Sequence, residues 1–195
     1  LGGYNLKENI ISILRESADL KLKFAKESID SVIEAVELIN KCIKSGGKLF
    51  IFGNGGSAAD SQHIASEFVN RFYSERKALP AIALTTDVSV VTSVANDDSF
   101  DNIFSRQIEA LGKKNDIALG ITTSGKSQNI LNALETSKKM GIKTIALIGQ
   151  RNAKIKKLSD CVVSVPSKST PRIQEVHITI AHIICELVEN SILEK

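Results

Sequence analysis

Five short apolar segments alternate with helical patterns from residue 48 to the end of this chain, and that alternation limits the fold more than any other feature. The segments are 48–52, 81–84, 116–121, 143–148 and 161–165, the last closed by Pro166. Runs such as Leu49-Phe50-Ile51-Phe52 and Ile145-Ala146-Leu147-Ile148 are near-continuously apolar, which marks strands buried on both faces and therefore parallel. Apolar residues recurring at threes and fours predict helices over 57–73, 87–95, 101–111, 127–140, 153–158 and 171–193. Right-handed crossovers then give an α/β three-layer sandwich, a doubly wound five-stranded parallel sheet. Ligands in such folds bind beyond the carboxyl ends of the strands, so the residues just after each strand are where chemistry is expected.

The stretch before the first strand has its own pattern. Ile10, Ile13, Leu14, Leu20 and Phe24 predict one amphipathic helix, and Ile29, Val32, Ile33, Val36, Ile39 and Ile43 a second, ended by Gly46-Gly47. Two helices exceed what a small sheet needs on its faces, so these N-terminal helices, about 6–45, are expected to serve oligomerisation. The chain 1–195 reads as a single domain. Its 43% hydrophobic and 24% charged residues exclude disorder as the main state. A net charge of +3 is too mild to point to nucleic acid. No apolar run approaches the roughly 20 residues of a membrane-spanning helix, so no membrane partner is expected. The start, Leu1-Gly2-Gly3-Tyr4, lacks the basic-then-apolar order of a signal peptide. Cys42, Cys161 and Cys185 are odd in number and form no CxxC pair, which argues against a disulfide framework and for buried thiols in a reducing cytoplasm.

Two loops are built for anions. After the first strand comes Gly53-Asn54-Gly55-Gly56-Ser57, where glycines allow a sharp turn and a helix N-terminus follows. Gly53, Gly55 and Ala58 match a dinucleotide fingerprint, but the acidic residue it needs about 20 positions later is missing; Asp87 lies 34 residues on. After the third strand, Gly120-Ile121-Thr122-Thr123-Ser124-Gly125-Lys126-Ser127 matches the P-loop pattern letter for letter. The neighbouring strand ends, Leu84-Thr85-Thr86 and Ile148-Gly149-Gln150, lack the magnesium-holding Asp that a P-loop enzyme also needs. The four hydroxyls of Thr122, Thr123, Ser124 and Ser127 at a helix start suit a metal-free monoester phosphate instead. Asn96 and Asp97, after the second strand and its helix, offer hydrogen bonds to sugar hydroxyls, although such a pair is more often a turn.

His63 and Glu67 lie four apart on the helix that starts at the glycine loop, so they share one face. Imidazole and carboxylate are both zinc ligand types. The last helix carries Gln174, Glu175, His177 and His182, the last within Ile180-Ala181-His182-Ile183-Ile184, an apolar setting for a neutral proton relay or a ligand. Gln174 and His182 are eight residues apart, about 12 Å along a helix axis. If both serve one metal site, they come from different subunits.

These segments follow one another in an order that resembles the phosphoheptose isomerases of the sugar isomerase (SIS) domain family. The resemblance rests on Gly53-Asn54-Gly55-Gly56-Ser57, Gln62-His63 with Glu67, Leu79-Pro80-Ala81, Ala95-Asn96-Asp97, Phe104-Ser105-Arg106-Gln107, the loop 120–127 and Arg172-Ile173-Gln174-Glu175-Val176-His177. It covers nearly the whole chain. It implies a cytoplasmic homotetramer that turns D-sedoheptulose 7-phosphate into D-glycero-D-manno-heptose 7-phosphate, the first step toward activated heptose for lipopolysaccharide or capsule. By the same resemblance Glu67 and His182 are the catalytic acid/base pair. Asn54, Gly55, Gly56, Ser57, Glu67, Asn96, Asp97, Thr122, Thr123, Ser124, Ser127 and Gln174 bind substrate. His63, Glu67, Gln174 and His182 hold one Zn²⁺ per subunit. Lys126 stands where the family commonly has Asn. Other readings are an isomerase of another phosphosugar, a P-loop nucleotidase, or a non-enzymatic SIS partner protein assisting replication initiation. That last branch lacks the Glu and His that this chain has.

Overall fold

The computed structural model describes residues 5–150 and 152–194, so the start Leu1-Gly2-Gly3-Tyr4 lies outside the described residues. The elements follow the order α1 (Leu6–Lys44), β1 (Leu49–Gly53), α2 (Gly56–Val69), β2 (Ala81–Ala83), α3 (Val88–Asp97), α4 (Ser105–Leu111), β3 (Ile117–Thr122), α5 (Gln128–Lys139), β4 (Lys143–Ile148), α6 (Ala153–Leu158), β5 (Cys161–Ser164) and α7 (Thr170–Leu193). One 3₁₀ turn, Phe100–Asn102, precedes α4. All strand pairs are parallel, in the order β2-β1-β3-β4-β5. The sandwich expected from the sequence is the one observed.

Side chains alternate across the sheet with the period of two that a strand imposes. Leu49, Ile51, Leu119, Ile121, Ile145 and Leu147 face one core, shared with α1, α2 and α7. Phe50, Phe52, Ala118, Ala146 and Ile148 face the other, shared with α4, α5 and α6. Cys42, Cys161 and Cys185 are free and buried, and burial pushes each thiol up to about 12.

One expectation is corrected here. The N-terminal segment is one helix of 39 residues, not two. No Gly or Pro interrupts 6–44, so nothing breaks the backbone ladder. Its buried face, Phe24, Val32, Ala35, Ile39 and Cys42, runs as one seam, while Ile10, Ile13, Leu14, Ile29 and Ile33 point outward. By length and composition α7 is able to cross a membrane, yet Ile173, Val176, Ile180, Ile184 and Val188 pack it into the first core.

Candidate active site

β1 pairs with β2 on one side and β3 on the other, so the strand order reverses beside β1. A crevice opens at the carboxyl ends of strands flanking such a reversal. Gly53 pairs with Ile121 in register, so the glycine loop and the hydroxyl loop leave the sheet side by side. The loops are tied directly. Asn54 Nδ2 donates to Asn129 Oδ1 at 2.9 Å, and Asn129 Nδ2 returns a bond to Asn54 Oδ1 at 2.8 Å. Asn129 is buried on the first turn of α5, and sequence reasoning missed it: nothing in Ser127-Gln128-Asn129 distinguishes a bridging amide from an ordinary polar helix start.

The P-loop match fails on geometry. Its first glycine, Gly120, lies inside β3 and pairs with Phe52 and Ala146. A Cβ there would stand 3.0 Å from Ile130 and 3.1 Å from Phe52. Gly120 is thus small to seat α5 on the sheet, and the turn that remains is short. Within it, Thr122 Oγ1 accepts from Gly125 N at 3.2 Å and lies 3.3 Å from Ser127 Oγ; Ser124 Oγ accepts from Lys126 N at 3.2 Å. Gly125 has φ +66, a left-handed conformation that suits glycine. Ser127 caps α5 in position, but its hydroxyl bonds no helix N–H. The first N–H groups of a helix lack intrahelical partners, so this loop offers donors and partial positive charge to an anion. A cavity of about 340 Å³ opens beside it, lined by Thr123, Ser124, Lys126, Asn152, Lys168 and Ile173.

α2 and α7 lie side by side and run in the same direction. Gln174 meets Gly56, its Nε2 2.7 Å from where a Cβ would stand. His182 meets His63, Nε2 to Nε2 at 2.9 Å. Glu67 Oε1 is 3.6 Å from the same His63 nitrogen. Three of the four residues assigned to metal binding therefore gather at one point of one chain. Their donor types, two imidazole nitrogens and a carboxylate, fit Zn²⁺. Gln174 does not join them, because eight residues of α7 separate it from His182. Among the described residues no group of three His, Cys, Asp or Glu side chains stands close enough to hold a metal ion. Next to the cluster, burial raises the Asp60 carboxyl while His63 opposes the shift.

Other residues fall differently from expectation. His182 is half-buried; the deeply buried imidazole on α7 is His177, 1% exposed, and burial lowers it to about 4. Its Nε2 donates to Ile148 O at 3.1 Å and its Nδ1 has no partner among the described residues. Ser57 is buried beneath the glycine loop against Gly53 rather than on its surface. Asn96 donates to Asp97 at 2.8 Å, and both are exposed at the end of α3. Asp97 lines a cavity of about 700 Å³ among α3, α4 and α5, whose walls include no residue of either loop.

Residues 14–149 match the family described as SIS domain. The chain is 49% identical to a phosphoheptose isomerase of Thermodesulfovibrio yellowstonii, over 97% of this chain and 94% of that one. It is 47% identical to one of Aquifex aeolicus, over 96% and 98%. The fold superimposes on phosphoheptose isomerase structures from Neisseria gonorrhoeae, with a TM-score of 0.89, 37% identity and coverage of 95% and 100%. It also superimposes on one from Francisella tularensis, with a TM-score of 0.91, 37% identity and coverage of 96% and 100%.

Proposed function

The chain belongs to the SIS domain family and, within it, to the phosphoheptose isomerases; from this we propose that it converts D-sedoheptulose 7-phosphate to D-glycero-D-manno-heptose 7-phosphate, at the start of activated-heptose synthesis for surface glycans. The observation that carries the reading is the meeting of His63, Glu67 and His182 on the α2–α7 seam, in a fold whose glycine and hydroxyl loops share one crevice.

The chemistry needs a base at carbon and an acid at oxygen. At a site shared between subunits, Glu67 takes a proton from C1 of the sugar held by the loops of another copy while His182 gives one to the oxygen on C2, forming the enediol. His182 then takes the proton from the oxygen on C1 as Glu67 returns its proton to C2, and the aldose results. The hydroxyls of Thr122, Thr123, Ser124 and Ser127 and the start of α5 hold the phosphate. Asn54, Gly55, Gly56 and Gln174 surround the sugar. His63, Glu67, Gln174 and His182 would hold Zn²⁺, which would supply Lewis-acid polarisation of the sugar oxygens.

The outward residues of α1, with Ile10 49%, Leu14 64% and Ile29 52% exposed, support self-association through that helix, to a homotetramer by family. A cytoplasmic setting is part of the same proposal.

Proton NMR of the protein with sedoheptulose 7-phosphate in D₂O, with added Zn²⁺ or with chelator, tests the reading. A new aldose anomeric signal, absent with Glu67→Gln, supports it. Silence under all conditions, with the fold intact, overturns it.

A further inference from the structure

The α2–α7 seam carries a second charged pair that the isomerisation chemistry does not use. Arg76 Nε and Glu189 Oε2 stand 2.8 Å apart, with side chains 3% and 2% exposed. Glu189 lies seven residues beyond His182, two turns along α7. Its carboxylate accepts three successive backbone N–H groups, Phe72 at 2.9 Å, Tyr73 at 2.7 Å and Ser74 at 2.8 Å. Arg76 reaches the other way. Its Nη2 donates to Glu67 O at 2.8 Å, and its Nη1 donates to Phe68 O at 2.9 Å and Lys77 O at 3.1 Å. The carbonyls of Glu67 and Phe68 belong to the last turn of α2, which lacks intrahelical donors. Phe72, seated by the carboxylate, places its ring 5.6 Å from the His182 ring.

One buried pair thus holds the backbone of the residue bearing the base and the loop residue that packs on the proton donor. Residues 70–80 contain no helix or strand; besides these bonds, Asn70 N to Ser66 O, Leu79 N to Phe68 O and Leu49 N to Pro80 O tie the segment at its ends. A buried ion pair is weak evidence for stability, since apolar replacements of like volume often fold as well. We propose that Arg76, Glu189 and Phe72 are positioning residues: the pair clamps α2 to α7 behind Glu67 and seats Phe72 against His182, so setting the separation of the two groups that act on the sugar. This rests on the isomerase reading above. The hydroxyl loop lies after another strand and makes none of these contacts, so phosphate binding is outside the reach of the clamp.

Three variants test it: Arg76→Lys, which keeps charge but not the planar fork; Arg76→Met with Glu189→Leu, which keeps volume; and Phe72→Leu. In each folded variant kcat falls at least tenfold while KM stays within twofold. A folded double variant with kcat within twofold of the original chain overturns the proposal, and so does a loss carried by KM. If the double variant does not fold, the other two decide by the same criterion. NMR of the His182 ring protons without substrate gives an independent reading. They shift in Phe72→Leu and in Arg76→Lys; an unchanged spectrum in Arg76→Lys overturns the clamp. An original chain without turnover would sink the isomerase reading instead, and the ring shift would still judge the geometry.

Discussion

Asn54 and Asn129 exchange two hydrogen bonds, amide to amide, across 75 residues of sequence. The pair joins the turn after β1 to the first turn of α5, so the two loops of the crevice keep one relative position. Asn129→Ala removes one partner and leaves the other half-buried. A stability loss of about 1–3 kcal/mol is expected from the abandoned groups, together with a higher KM for the phosphosugar. Denaturant unfolding and steady-state kinetics on the same preparation check both.

Glu67→Gln keeps the size of the side chain and removes its basicity. Loss of a positioned general base costs 10²–10⁴-fold as an order of magnitude, so turnover is expected to fall by about that much while thermal unfolding barely changes. The anomeric signal in proton NMR is the readout.

Ser127 separates capping from ligand binding. A working N-cap is worth about 1 kcal/mol, but the Ser127 hydroxyl makes no bond to the helix it precedes. Ser127→Ala should therefore leave the unfolding midpoint nearly where it was and raise KM for a phosphorylated sugar. A clear drop in midpoint with unchanged KM would contradict the assigned role.

Gly53 and Gly56 are three residues apart and should respond oppositely to alanine. At Gly53 the new Cβ meets Ser57 O at 2.6 Å, and a backbone atom has nowhere to go. Gly53→Ala is expected to destabilise by about 1–3 kcal/mol, the usual range for overpacking. At Gly56 the Cβ meets only the tip of Gln174, which swings aside. Gly56→Ala should keep its stability and lose activity. Paired unfolding and activity assays distinguish the two.

His177 makes stability depend on pH. Burial lowers it from 6.5 to about 4 in the folded chain. Between those values the unfolded chain binds the proton and the folded chain does not, so stability is full above pH 6.5 and declines as pH falls toward 4. The total is about 3 kcal/mol. Glu189, held down to about 2 by backbone N–H groups and Arg76 against the opposing pull of burial, adds a second decline as pH falls from 4.5 toward 2. His177→Gln should flatten the first window only, as seen in unfolding free energy measured against pH.

Much of the candidate site was legible because its parts are local. Each proposed phosphate or sugar loop is a run of adjacent residues, and the strands before them announce themselves by unbroken apolar character. Non-local partners left no such mark. Asn129, Arg76, Glu189 and Phe72 are ordinary polar or apolar residues until the chain brings them against Asn54, Glu67 and His182. The helix expected to run to residue 73 ends at Val69 for the same reason: Glu189, far along the sequence, captures the N–H groups of Phe72, Tyr73 and Ser74.

By itself the sequence determined the parallel sandwich, the placement of its strands and the two loops that follow the first and third of them, since side-chain periodicity and glycine positions act over a few residues. Tertiary structure decided the rest. The register of β1 with β3 brought the loops together, and the parallel course of α2 and α7 set Gln174 against Gly56 and His182 against His63. The physical reason is range. Backbone hydrogen bonding and local burial are set by neighbours in the chain, whereas the separation of Glu67 from His182 is fixed only when two packed helices settle against each other.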